Sequence, residues 1–138
     1  FTHARFLPGS KILESQVRHS LLCDGAIIDR GRLDHTIIGI RSRIGENSIV
    51  ERAVIMGADF FESGEQLKRN KEKGIPNIGI GKNCEIRNAI IDKNARIGNN
   101  VKLVNGQNRD EVEEENYMIR DGIIVVPKNG IIPDDTII

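Results

Sequence analysis

The sequence predicts an all-β fold, a parallel β-helix of hexapeptide repeats with a short helical insertion, from three observations. First, aliphatic residues recur at steps of five or six: Ile12, Val17, Leu22, Ile28, Leu33, Ile38, Ile44, Val50 and Ile55, then Ile80, Ile86, Ile91, Ile97 and Leu103. Three steps make one period, which fits a coil of three short strands and neither the period of an α-helix nor that of an ordinary strand. Second, Gly25, Gly31, Asn47, Asn83, Asn94 and Asn100 stand three residues after an inward aliphatic, where a sharp corner demands positive φ. Arg41 holds the same register and is the exception. Third, the chain of 138 residues has no Trp, one Tyr and four Phe. A narrow prism filled by isoleucine and valine stacked coil on coil has no room for large rings.

Residues 1–10, with Pro8-Gly9, read as a linker, and 11–138 as the β-helix domain. The tetrapeptides HSLL (19–22), HTII (35–38), RAVI (52–55) and NAII (88–91) share a polar residue, a small one and an aliphatic doublet, with starts 16, 17 and 36 residues apart. The text between the last two has no such pattern, so the long gap is one period plus an insertion, about 57–77. Within it Ser63 and Gln66 form a capping box, and a charged run ends at Gly74 with Pro76 beyond, which predicts a solvent-facing helix anchored by Leu67. The acidic stretch 105–116 reads as a surface loop. The aliphatic doublets at 123–126, 131–132 and 137–138 then make a last coil, with Pro127 and Pro133 confined to corners.

Composition limits the partners. Lys plus Arg equals Asp plus Glu at 20 each, so no net field draws nucleic acid or an anionic membrane, and any anion site must be local. No apolar run could span a bilayer and no secretory signal is visible. Cys23 and Cys84 lack metal-type spacing and read as buried free thiols in a reducing compartment. A start at Phe1, with methionine only at 56 and 118, reads as part of a longer protein.

Catalytic readings find little to stand on. Hexapeptide-repeat acyltransferases use a histidine base, but His19 and His35 occupy equivalent repeat positions, which favours a structural role. A three-histidine zinc site would need His3 from the linker beside two histidines one coil apart. No Gly-rich phosphate loop precedes a helix, and no nucleophile–base set has suitable spacing.

The segments RFLPGSK (5–11), IIGIRSRIG (37–45), MGADFFES (56–63), GIGKNCEIRNAIIDKNARIG (79–98) and DGIIVVPKNGIIPDDTII (121–138) resemble the C-terminal domain of ADP-glucose pyrophosphorylase, or glucose-1-phosphate adenylyltransferase, of the plant and cyanobacterial type. The resemblance covers essentially the whole chain, and similar hexapeptide-repeat proteins imply a left-handed coil. It implies a parent nucleotidyltransferase that makes ADP-glucose and pyrophosphate from ATP and glucose 1-phosphate, for starch or glycogen synthesis. Its catalytic domain, with a nucleotide loop and magnesium-binding aspartates, would precede Phe1, leaving this part inactive alone and without a cofactor of its own. The domain would serve regulation and assembly, with partners in the catalytic domain and the other subunits of a tetramer. Its effectors would be 3-phosphoglycerate as activator and phosphate as inhibitor. The family's effector lysines map to Lys93 in IIDKNA and to Lys128 after IIVVP; its linker arginine maps to Arg5, and the position two before it, often glutamine, is His3. Location would be the plastid stroma for a plant protein and the cytoplasm for a cyanobacterial one.

The residues alone say less. Lys93 precedes Asn94 at a corner, so its stem cannot enter the core and its ammonium points outward, a compact charge with three donors suited to phosphate. A solvated surface lysine has the same signature. A self-contained acyltransferase and a purely structural β-helix scaffold are the competing classes.

Overall fold

Strands follow the aliphatic period. In the computed structural model, which describes residues 7–138, the first coil holds β1 (Lys11–Leu13), β2 (Gln16–Arg18) and β3 (Leu21–Leu22). The second holds β4 (Ile27–Asp29) and β5 (Arg32–Ile38), and the third β6 (Arg43–Ile44) and β7 (Ile49–Ile55). Helix α1 (Gly64–Lys73) intervenes before β8 (Gly79–Ile80) and β9 (Glu85–Ile91) of the fourth coil. The fifth contains β10 (Arg96–Ile97) and β11 (Lys102–Leu103). It is interrupted by β12 (Glu111–Glu113) and β13 (Met118–Arg120), then completed by β14 (Ile123–Val126) before β15 (Ile131–Ile132) opens the last turn.

Coil-to-coil pairing is parallel. One prism face is the sheet β1-β4-β6-β8-β10-β15. The other two faces are one sheet folded around an edge, because β5, β7 and β9 run through that edge unbroken. Ala53 pairs with Ala89 and Ile44 with Ile80, so the 36-residue gap is one coil with an insertion.

The corners obey a rule finer than the sequence reading. Where inward aliphatics are six apart, the left-handed residue is third after the first of them: Gly25 (φ 74°), Arg41 (57°), Asn47 (59°), Asn83 (57°), Asn94 (61°) and Asn100 (58°). Where they are five apart it is second: His19 (48°), Arg30 (47°), His35 (53°), Arg52 (48°) and Asn88 (50°). Moving the corner up by one residue is how a side is shortened by one. Gly31 is therefore not a left-handed corner. Arg30 takes that role, and Gly31 is buried, where an added Cβ would lie 3.0 Å from Ile28 Cγ2.

The tight corner also explains the tetrapeptides. The polar residue bends the chain, and the small one (Thr36, Ala53 or Ala89) turns inward, each under 5% exposed. The doublet then splits: Ile37 faces out at 46% exposed and Ile38 faces in at 0%. Only the second member is core. Similarly, Ile12 stacks in register on Ile28 yet is 46% exposed, because no coil among the described residues covers it. Ile28, Ile44, Ile80, Ile97 and Ile132, stacked in register beneath it, are all buried. Cys84 is buried and Cys23 only partly so; both are free.

The stretch 105–116 is not wholly loop. Val112 pairs with Ile119 in the antiparallel hairpin β12–β13, which extends the sheet through β14. Alternation around Val112 was too short to show as a strand among so many acids.

Candidate anion site

Lys93 and Lys128 occupy equivalent positions on one edge of the prism. The Asn129 N–H donates to the Lys93 carbonyl at 3.0 Å, and the Asn94 N–H to the Gly57 carbonyl at 3.1 Å. Lys128, Lys93 and Gly57 are thus one coil apart in turn. Each lysine stands just before a left-handed asparagine, Asn94 (φ 61°) or Asn129 (φ 63°), where the aliphatic interior has ended and the side chain turns to solvent.

The insertion leaves the prism from this same edge, one coil below Lys93. Gly57 makes the exit possible: its φ is 95°, and a Cβ there would fall 2.1 Å from the Ile40 carbonyl oxygen. Two residues later Asp59 reaches back. Its Oδ1 lies 3.3 Å from Lys93 Nζ, and its Oδ2 lies 3.6 Å from Lys128 Nζ. Asn94 fixes it from both sides, accepting from the Asp59 N–H at 2.9 Å and donating Nδ2–H to Oδ2 at 3.0 Å. The Asn94 amide first, and Lys93 next, hold the Asp59 carboxyl below the usual carboxylate range. Both lysines and Asp59 are about half exposed, so water and small anions reach them.

A second carboxylate clamps the insertion. Glu62 is almost wholly buried; it accepts from the Ile78 N–H at 2.6 Å, from Asn70 at 2.5 Å and from Arg96 at 3.1 Å. Burial works to raise its carboxyl, but the Ile78 N–H, Asn70 and Arg96 outweigh it and hold it below the ordinary glutamate range. Arg41 braces the exit from below, donating to the Ala58 carbonyl at 3.2 Å with its guanidinium over Phe61. The helix itself is capped as its sequence dictates. Ser63 and Gln66 bond reciprocally, and Gly74 closes the last turn at φ 68°. None of its residues is buried.

Two other features are separate from this edge. His19 and His35 stack at 4.7 Å on the tight edge, with Asp34 Oδ1 at 3.5 and 2.8 Å from their Nδ1 atoms. Among the described residues this is the one trio of metal-type side chains, with donor atoms within 4.8 Å. A concavity of about 980 Å³ lies between α1 and the face of β6 and β8, and neither Lys93 nor Lys128 lines it.

Of the four residues picked from sequence, Lys93 and Lys128 come together, while His3 and Arg5 lie outside the described residues. Sequence reasoning missed Asp59 as their partner and Asn94 as the side chain that fixes it. Asp59 sits in the MGADFFES segment already singled out, but nothing in one dimension says that its carboxylate returns to a corner 34 residues on. A family model described as the GLGC left-handed parallel beta-helix domain matches residues 5–137.

Proposed function

Because the chain belongs to the GLGC left-handed parallel β-helix family, the C-terminal β-helix domain of ADP-glucose pyrophosphorylase, we propose that it is the regulatory and assembly domain of a glucose-1-phosphate adenylyltransferase. The parent enzyme would make ADP-glucose and pyrophosphate from ATP and glucose 1-phosphate. This domain would bind 3-phosphoglycerate as activator and phosphate as inhibitor, and catalysis with magnesium would belong to the nucleotidyltransferase domain.

One observation carries the effector reading: two ammonium groups from consecutive coils converge on the two oxygens of a single carboxylate. Two point charges one coil apart suit a phosphate or carboxylate, whose oxygens are spaced to meet both. Arg5 and His3 would add donors from the preceding segment. An activator with phosphate at one end and carboxylate at the other bridges this edge to a neighbouring domain and favours the active arrangement by differential binding. Phosphate takes the same charges without the bridge, hence inhibition by competition.

Assembly has its own support. On the face beyond the tight edge, Leu21, Ile37, Val54, Ile90 and Val125 form one outward ladder in continuous register. Leu21 is 67% exposed, and Ile37 46%. A second subunit of the proposed tetramer covers this stripe.

The effector reading is tested by activation curves. In the full-length enzyme, Lys93→Ala and Lys128→Ala should each raise the 3-phosphoglycerate needed for half-activation about tenfold, the loss of one charge-assisted contact. Turnover at saturating activator should change far less. Curves that superpose on wild type would make Lys93 an ordinary solvated corner lysine.

A further inference from the structure

We propose that Asp59 is a resident counter-anion of the lysine edge. Its carboxylate holds the position between Lys93 and Lys128 that an effector's phosphate or carboxylate takes, so an anion binds only by displacing it. The proposal rests on the effector reading of the two lysines and adds the group that sets their threshold.

The geometry is that of a bound ligand. Each carboxylate oxygen faces a different ammonium, at 3.3 and 3.6 Å. The residue belongs to no strand and stands where the insertion departs, on the same edge as both lysines. Its attachment is divided in a way that permits release. The backbone is held through the Asp59 N–H to Asn94 Oδ1, the side chain through Asn94 Nδ2–H to Oδ2 and through the lysines. Rotation of the side chain breaks the second set and leaves the first, so the carboxylate can swing out without unravelling the exit from the prism. Beyond it, Glu62 and Arg96 keep the insertion in place whether or not Asp59 is engaged.

Charge sets the consequence. Two ammoniums and one carboxylate leave a single net positive charge for an incoming anion. A dianionic phosphate arriving while Asp59 stays would sit against a like charge. Removing the Asp59 charge therefore strengthens anion binding and needs no new contact. The ligand class is a small phosphorylated or carboxylated anion; inorganic phosphate and 3-phosphoglycerate are the two probes.

The test is calorimetric titration of the full-length protein with each probe at fixed ionic strength, in wild type, Asp59→Asn, Lys93→Ala/Lys128→Ala and the triple variant. Asn keeps an oxygen and an amide for Asn94, so the exit stays pinned. Asp59→Ser, which removes the charge with a different shape, checks that charge is responsible. Both single variants should bind phosphate and 3-phosphoglycerate about fivefold tighter, the size of one screened surface charge pair. That gain should vanish in the triple variant. Unchanged or weaker binding by Asp59→Asn and Asp59→Ser, with the lysine variants still losing affinity, would refute the counter-anion and leave the effector site standing. Phosphate binding unaffected by loss of both lysines would refute the site and the counter-anion together.

Discussion

The two excursions from the prism are held in opposite ways. The first, which carries α1, is fastened by side chains: Glu62 to Arg96, Asn70 and the Ile78 N–H, and Asp59 to the lysine edge. The second is fastened mainly by backbone, with β13 antiparallel to β14 and β12 antiparallel to β13, and its Arg120 pairs with Glu111 and Glu113 only at the exposed surface. Side-chain fastening is specific and sensitive to charge. Ladder fastening tolerates almost any sequence that alternates, which is how a stretch as acidic as 111–115 joins a sheet. The excursion that the proposed counter-anion makes responsive to an effector is the one held by buried and edge charges.

Removing the clamp should give the largest difference between the two. Glu62→Ala strips a partner from the Arg96 guanidinium, from Asn70 and from a backbone N–H at once, at a cost of about 3 kcal/mol. Amide exchange should then accelerate across residues 62–78 while 111–120 keeps its protection. Equal acceleration in both would mean that the excursions are coupled. Acid should act in the same direction. Because the folded-state carboxyl of Glu62 is lowered, its contribution is complete above the ordinary glutamate pKa, about 4.3, and is lost as pH falls through the lowered value. Glu62→Gln should flatten that part of the acid profile of the first excursion. The second's paired carboxylates, Glu111 and Glu113 against Arg120, are largely exposed.

A smaller loss is expected from Val112→Asp. It removes the one apolar contact of β12 against Ile119 and the core, at about 1–2 kcal/mol, and should release 111–120 alone. Smallest of the three is Ser63→Ala. It deletes half of the capping box, at about 1 kcal/mol, and should fray α1 without moving Asp59 or Glu62. Loss of protection at Ile78 in that variant would show that the helix, and not the carboxylate, holds the insertion down.

How far each feature was legible follows from the range of the forces behind it. The helix was legible to the residue, Ser63 to Gly74, because capping is satisfied within one turn of chain. The hairpin was not, because its single inward pair, Val112 and Ile119, sits among charges that read as loop. Among corners, asparagine signalled the wide ones well. The tight ones carry Asn88 but also His19, His35, Arg30 and Arg52; histidine has some tolerance for positive φ, and arginine has none in particular. There the backbone is compelled by aliphatics locked into register on both sides. Of the candidate site, the lysines were nameable through the resemblance and their partners were not.

The sequence by itself determined the coil: a period of five and six, isoleucine inward, no ring too large for the prism, and one interruption of known place. Those are local and repeated choices, each written where it acts. Tertiary structure alone decided which faces are covered, so that Ile12 and Ile28 share a role and differ wholly in burial. It also decided that Asp59, Lys93 and Lys128 share one edge. Stacking brings residues 34 and 69 positions apart to neighbouring levels, and the Coulomb attraction between them exists only at that short distance.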